Sequence, residues 1–314
     1  MAGMSEEAGQ QPRGAPPAVE HCYRHPNVET GVHCTRCDRP ICPECMTPAP
    51  VGYQCPECVA QARREFRKGP GRRIVTGGVS ATKVLLAALF AVFVLELLVG
   101  GANALFQGPP ERTLIRLGAM QPFLIADGQY WRLFSAIFLH AGLLHIAFNA
   151  YALWIFGAAM EQALGRTRFL LVFFVTGFLA SVASYAFGPV VSVGVGASGA
   201  IFGVFGAFIA YNYRRRDLAQ AAANLRWALM LILLNALLTL GIRQIDWRAH
   251  LGGLVAGFAA GMVAEGWGDH RNRKVVLVAG FATMVAIGVV LVAWRTADIR
   301  ALPIFERAVA FFAS

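Results

Sequence analysis

Cysteine is absent from residue 59 onward: all seven cysteines of the 314-residue chain fall between positions 22 and 58. Disulfides therefore play no part in holding most of the molecule together. Charge is scarce as well, at 15% of residues, where an ordinary soluble domain carries about 25%. Together with an apolar content of 56%, this excludes a water-soluble enzyme of ordinary composition and makes the bilayer the expected solvent for most of the chain. No long apolar run occurs before Lys83. Residues 1–20, rich in Ala, Gly, Pro, Glu and Gln, accordingly read as a disordered leader rather than a secretory signal.

What remains divides along the chain. Residues 21–60 form a cysteine-rich module, 61–82 a basic linker broken by Gly69, Pro70 and Gly71, 83–294 an apolar body, and 295–314 a short tail. A bilayer core of about 30 Å takes about 20 helical residues. The body offers seven such segments: 83–105, 133–157, 168–187, 198–213, 226–242, 248–267 and 275–294. With the N-terminus inside, sixteen Lys and Arg flank the segments on the inner side and eight on the outer, the triplet Arg214–Arg216 being the clearest inner marker. Cytoplasmic flanks are the enriched ones, so the expected arrangement is an integral protein of a prokaryotic plasma membrane with a cytoplasmic N-terminus and an external C-terminus. The net charge of +10 is then a topology signal and an attraction to anionic lipid. No motif supports nucleic-acid binding.

Four ligand pairs with two intervening residues stand in the module: Cys22 with His25, Cys34 with Cys37, Cys42 with Cys45, and Cys55 with Cys58. Eight ligands fill two tetrahedral zinc sites with no position left for a catalytic water. A disulfide framework would strand one of seven thiols, and a reducing cytoplasm disfavours it. So small a module has too little core to fold on apolar burial alone, and metal would supply much of its folding free energy. It resembles B-box-like or cross-braced zinc modules, which implies that alternate pairs share an ion: Cys22, His25, Cys42 and Cys45 at one site, Cys34, Cys37, Cys55 and Cys58 at the other. Sequential pairing is the alternative. A cytoplasmic protein is the expected partner of such a module.

Polar residues inside apolar segments are functional candidates, because leaving them unpaired in lipid is costly. Three groups occur: His140, His145 and Asn149 (HAGLLHIAFN), Gly196 to Gly199 around Ser198 (GVGASG), and His250 (AHLGG). In the N-in arrangement the second, fourth and sixth segments all begin on the outer side, so His145, Ser198 and His250 share a depth. Small residues at four-residue spacing, Gly199 and Gly203 against Gly253, Gly257 and Gly261, allow the fourth and sixth helices near backbone contact. A serine and an imidazole brought together this way make an activated nucleophile.

Trp131-Arg132, the H-x4-H-x3-N array, G-x-S-G at Gly196–Gly199 and A-H-x2-G-x3-G at Ala249–Gly257 resemble, in this order, the motifs of the rhomboid family of intramembrane serine proteases. The resemblance spans about residues 83–294. It implies an all-α polytopic membrane fold of a six-helix rhomboid core plus one C-terminal helix, here preceded by the small two-zinc module. It implies Ser198 as nucleophile and His250 as base in a dyad with no cofactor, and an oxyanion hole from His145, Asn149 and the Ser198 N–H. It further implies that the substrates are transmembrane segments of other proteins within the bilayer, and that the acid of the Glu161–Gly165 pattern is structural. Gly196, Gly199, Phe202 and His140 are supporting residues. Phe202 departs from the tyrosine common in the family, keeping the ring that stacks on the histidine.

Rival readings are a catalytically silent rhomboid-like binder of transmembrane clients, a transporter, and a zinc site on the three body histidines. The intact Ser198 and His250 oppose the first. Neither paired acids nor a repeat supports the second, and there is no H-E-x-x-H for the third. Asp246 reads as an exposed loop acid pairing with Arg243 and Arg248, Trp131 and Arg132 as an interfacial anchor, and Glu96 has no evident partner.

Overall fold

The structure, a computed structural model, describes residues 19–49, 51–68, 80–101, 103–241, 245–266 and 272–313. The leader up to residue 18, linker residues 69–79 and Arg243 lie outside the described residues. Contacts divide the chain into two units, Met1–Gly78 and Val79–Ser314.

The first unit is a set of tight turns, a two-residue antiparallel pair β1 (Thr47–Pro48) and β2 (Tyr53–Gln54), and helix α1 (Pro56–Lys68). Each pair of candidate ligands is set by a backbone turn: His25 N–H donates to the Cys22 carbonyl at 3.0 Å and Cys45 N–H to that of Cys42 at 2.8 Å. Among the described residues its buried side chains are Ile41 and six of the cysteines.

Among the described residues the second unit is built on helices, and seven long ones follow the order expected from the sequence: α2 (Ala81–Gly100), α3 (Leu143–Leu164), α4 (Arg166–Phe187), α5 (Ser198–Tyr213), α6 (Ala219–Gly241), α7 (Trp247–Glu265) and α8 (Arg273–Arg300). Five of them, α2, α3, α4, α6 and α8, have stretches long and apolar enough to cross a bilayer. The two that fall short, α5 and α7, are the carriers of Ser198 and His250. At 16 residues, α5 is about 24 Å long at 1.5 Å per residue. Its Val204, Ala207 and Ala210 are fully buried, so protein rather than lipid surrounds it.

Boundaries differ from the sequence expectation at informative places. The second apolar segment does not begin as one helix at 133. Residues 132–138 form two short turns of helix, and α3 starts only after Gly142, whose φ of 104° breaks the path. His140 thus sits in the turn before the helix that carries His145 and Asn149. A π-helical stretch, Leu153–Gly157, interrupts α3.

At the other end α8 runs to Arg300, and residues beyond it form α9 (Phe305–Ala313) rather than an extended tail. Phe305 and Phe312 pack on Phe123, with ring centroids 6.4 and 6.1 Å away. Thr296 hydrogen-bonds the Tyr185 hydroxyl at 2.9 Å, and Arg300 Nε donates to the Ala126 carbonyl at 2.7 Å. Polar residues that look like the exit from the membrane are tied to the protein instead.

Candidate functional site

Helices α5 and α7 cross with their backbones in contact. A Cβ placed on Gly257 would lie 1.9 Å from the Gly203 carbonyl oxygen, and one on Gly253 would lie 2.1 Å from that of Gly199. Only glycine permits this approach, and it brings the first residue of α5 beside the first turn of α7. There Ser198 Oγ and His250 Nε2 are 2.9 Å apart. Phe202, one turn along α5, stacks on the His250 ring at 4.4 Å between centroids and 17° between planes, fixing the imidazole against rotation. His250 Nδ1 is buried without a hydrogen-bond partner among the described residues.

The first turn of α3 faces the same place. A Cβ on Gly196 would meet His145 Nε2 at 2.7 Å and Asn149 Nδ2 at 3.8 Å, and Gly196 has φ of 122°, so the position demands glycine twice over. Ala141 N–H donates to His145 Nδ1 at 3.2 Å. With Nδ1 an acceptor, the neutral ring carries its proton on Nε2, the atom that faces Gly196. Asn149 Nδ2 is buried and unpartnered among the described residues. Two side-chain donors therefore converge on the chain two residues before Ser198, and the free N–H groups that open α5 lie just beyond. His140 stands behind them, its ring edge-on to that of His145 at 5.2 Å and its Nδ1 3.2 Å from the Phe138 carbonyl oxygen. Gly199 serves helix packing, since a Cβ there would meet that of Ala180 at 2.6 Å. Every candidate from the body's motifs is thus gathered at one end of α3, α5 and α7.

Other polar residues find roles that their sequence context hides. Glu96 is fully buried, and its Oε1 accepts the His140 backbone N–H at 2.8 Å. It pins the turn whose next residue, Ala141, sets the tautomer of His145. Asp246 is half-buried rather than exposed and makes no ion pair with Arg248, while Arg243 lies outside the described residues. It caps α7, accepting from Arg248 N–H at 3.0 Å and from the Ser184 hydroxyl, so its carboxylate is engaged away from the imidazole. Arg132 is buried rather than an interfacial anchor, donating to the carbonyls of Ile115 and Ala119 at 2.7 and 3.0 Å, while Trp131 is exposed. Glu161 accepts the N–H groups of Ala81 and Thr82 and the hydroxyls of Ser80 and Thr82, all within 2.6 to 2.9 Å, and so caps α2.

In the first unit, Cys22, His25, Cys42 and Cys45 form one cluster and Cys34, Cys37, Cys55 and Cys58 another, with the ligand atoms of each within 4.8 Å of one another. Alternate pairs, not sequential ones, share a site, and none of the seven thiols is in a disulfide. His21 and His33 belong to neither. His25 Nδ1 lies 3.2, 3.5 and 3.8 Å from the sulfurs of Cys42, Cys45 and Cys22. Bonds of about 2.0 to 2.3 Å from a tetrahedral ion give ligand separations of about this size.

The electrostatics agree. Burial disfavours the Cys22 thiolate, but backbone hydrogen bonds from Cys42, Arg24 and His25 outweigh it and bring the thiol down to about 6. Burial and the neighbouring sulfurs push Cys45 up to about 11. The second cluster repeats the split, with Cys34 at about 6 and Cys58 at about 12. One thiolate forms readily and the next is resisted, a balance that a bound cation reverses. The two clusters can each hold a metal ion.

The fold and these contacts define an all-α integral membrane protein with a serine and an imidazole joined between two closely packed helices. A family model, the Rhomboid domain, matches residues 127–266. The chain is 36% identical over 225 residues to rhomboid protease GluP of Bacillus subtilis (strain 168), covering 69% of this chain and 42% of that protein. It is 37% identical over 134 residues to YdcA of the same bacterium, covering 43% of this chain and 67% of YdcA. Rhomboid-like protease 1 of Toxoplasma gondii is 33% identical over 189 residues, 62% of its length. The chain belongs to the rhomboid family. It spans well under half of GluP and about two thirds of the other two.

Proposed function

We propose that this protein is an intramembrane serine endopeptidase that hydrolyses peptide bonds in or near transmembrane segments of other membrane proteins. The observation that carries the reading is the 2.9 Å contact between Ser198 Oγ and His250 Nε2, made where two helices open onto the same side. His250 Nε2 takes the serine proton as Oγ attacks the scissile carbonyl carbon, and the imidazolium then returns it to the leaving amine. Water repeats the sequence against the acyl-enzyme and frees Ser198. The oxyanion receives hydrogen bonds from the Ser198 N–H, His145 Nε2 and Asn149 Nδ2, donors fixed before the substrate arrives. Asp246 is occupied as a cap, so the machinery is a dyad. Phe202 and Gly196 shape it, Gly199 and the glycines of α7 bring its halves together, and Glu96 and His140 position His145.

The Lys and Arg distribution supports a cytoplasmic N-terminus and an external C-terminus, which puts the dyad toward the outer leaflet. For the first unit, the donor set and the ligand separations support two structural zinc ions that fold the module into a surface for a cytoplasmic protein. A fluorophosphonate probe tests the catalytic reading: the adduct is expected on Ser198 and lost in His250→Ala. A silent client-binding rhomboid would carry no Ser198-dependent adduct.

A further inference from the structure

At the end of the helices opposite Ser198 and His250, the second unit has a cavity of about 330 Å³, within the size range of small-molecule sites, roughly 300–1,000 Å³. Its lining brings together Arg168 at the start of α4, Tyr211, Arg214 and Arg215 at the end of α5, Glu265 at the end of α7, and Arg273 at the start of α8. Four positive charges thus meet one negative charge. Glu265 is already divided between two of them, 3.0 Å from Arg214 and 2.6 Å from Arg215. Arg168 makes no hydrogen bond or ion pair among the described residues and faces the like charge of Arg273. Arg273 spends one nitrogen on the Glu265 carbonyl at 3.1 Å, and its buried Nε has no partner among the described residues.

Ordinary inner-side arginines spread into solvent. These converge on a concavity from the termini of three helices and the residues just after a fourth, and among the described residues Arg168 has no ion pair and the Arg273 Nε no partner. Guanidinium groups in such an array match the oxygens of a phosphate, to which they donate in pairs, and basic recesses between helices on the cytoplasmic side of a membrane protein suit anionic headgroups. We infer that this cavity is a binding site for the phosphate of an anionic phospholipid headgroup at the inner membrane boundary, held chiefly by Arg168 and Arg273. The bound lipid ties the end of α5 to α4, α7 and α8. This goes beyond the protease reading and does not depend on it.

The test uses the full chain, delipidated in neutral detergent, with native mass spectrometry counting lipids retained on the folded protein. Wild type is expected to retain one phosphatidylglycerol under conditions that strip phosphatidylcholine, and inorganic phosphate at millimolar concentration to compete it off. The double substitution Arg168→Gln, Arg273→Gln should weaken retention about tenfold or more, the worth of a charge-assisted hydrogen bond. Arg168→Lys with Arg273→Lys, which keeps the charge and loses the paired geometry, should fall between. Ser198→Ala should retain the lipid as wild type does, so the result is separable from the catalytic assignment. Equal retention of phosphatidylcholine, undiminished retention in the Gln double variant, or binding of inorganic phosphate with no preference for phosphatidylglycerol would each overturn the lipid assignment.

Discussion

In the first unit, Ile41 and six buried cysteines make up the interior, and the ligand turns are spaced by two residues. In the second, cysteine is absent, and helices meet through glycines whose missing side chains let backbones touch. Both regions converge polar atoms on a point. The module does so with groups that can hold a cation and have little apolar burial behind them, so its order is expected to depend on a bound ion. The body does so with helix packing that brings Ser198 and His250 to 2.9 Å. In the module every ligand is directed at its own cluster, whereas beside Ser198 the buried Asn149 has its Nδ2 without a partner among the described residues and half-buried His145 turns its Nε2 toward Gly196.

Removing metal should break the contrast most sharply. Structural zinc supplies about 10–16 kcal/mol in comparable small modules, so chelation is expected to unfold residues 19–68 while leaving unfolding of the helical unit unchanged; domain-resolved hydrogen exchange checks this, with elemental analysis expecting two zinc ions per chain. Next in size is Gly257→Val in the body. Its branched side chain must displace the Gly203 carbonyl, at a cost of about 3 kcal/mol or more, and should separate Ser198 from His250, read as loss of both thermal stability and probe labelling. Glu96→Ala strands the His140 N–H and should cost about 1–3 kcal/mol, whereas Glu96→Gln, which keeps an acceptor oxygen, should restore most of the labelling rate. The smallest effect is expected at Phe202: replacing it by Leu removes a ring stack worth about 0.5–1.5 kcal/mol and should slow labelling without altering the fold, while Phe202→Tyr should be nearly neutral.

That these candidate residues would gather was readable in the sequence where a short-range rule applies. Cys-x2-Cys spacing follows from one turn gripping one ion, and His145 with Asn149 share a face because they are one helical turn apart. The order of apolar segments followed from length and hydropathy. What stayed hidden are partnerships made across distance or to backbone atoms. Glu96 meets a main-chain N–H 44 residues away, Ser184 meets Asp246 across 62, and Arg132 satisfies carbonyls, which every residue has. The late start of α3 depended on the positive φ of Gly142, one glycine among 33. The docking of α9 depended on Phe123, which no local pattern links to Phe305 and Phe312.

The central claim is that Ser198 and His250 act together as a peptidase dyad. Its most direct test is cleavage of a single-pass membrane substrate by the purified full-length chain in lipid, comparing wild type with Ser198→Ala and His250→Ala at matched folded fractions. The account predicts a defined cut by wild type and loss of that cut in both variants. Cleavage at the wild-type rate by Ser198→Ala would contradict it.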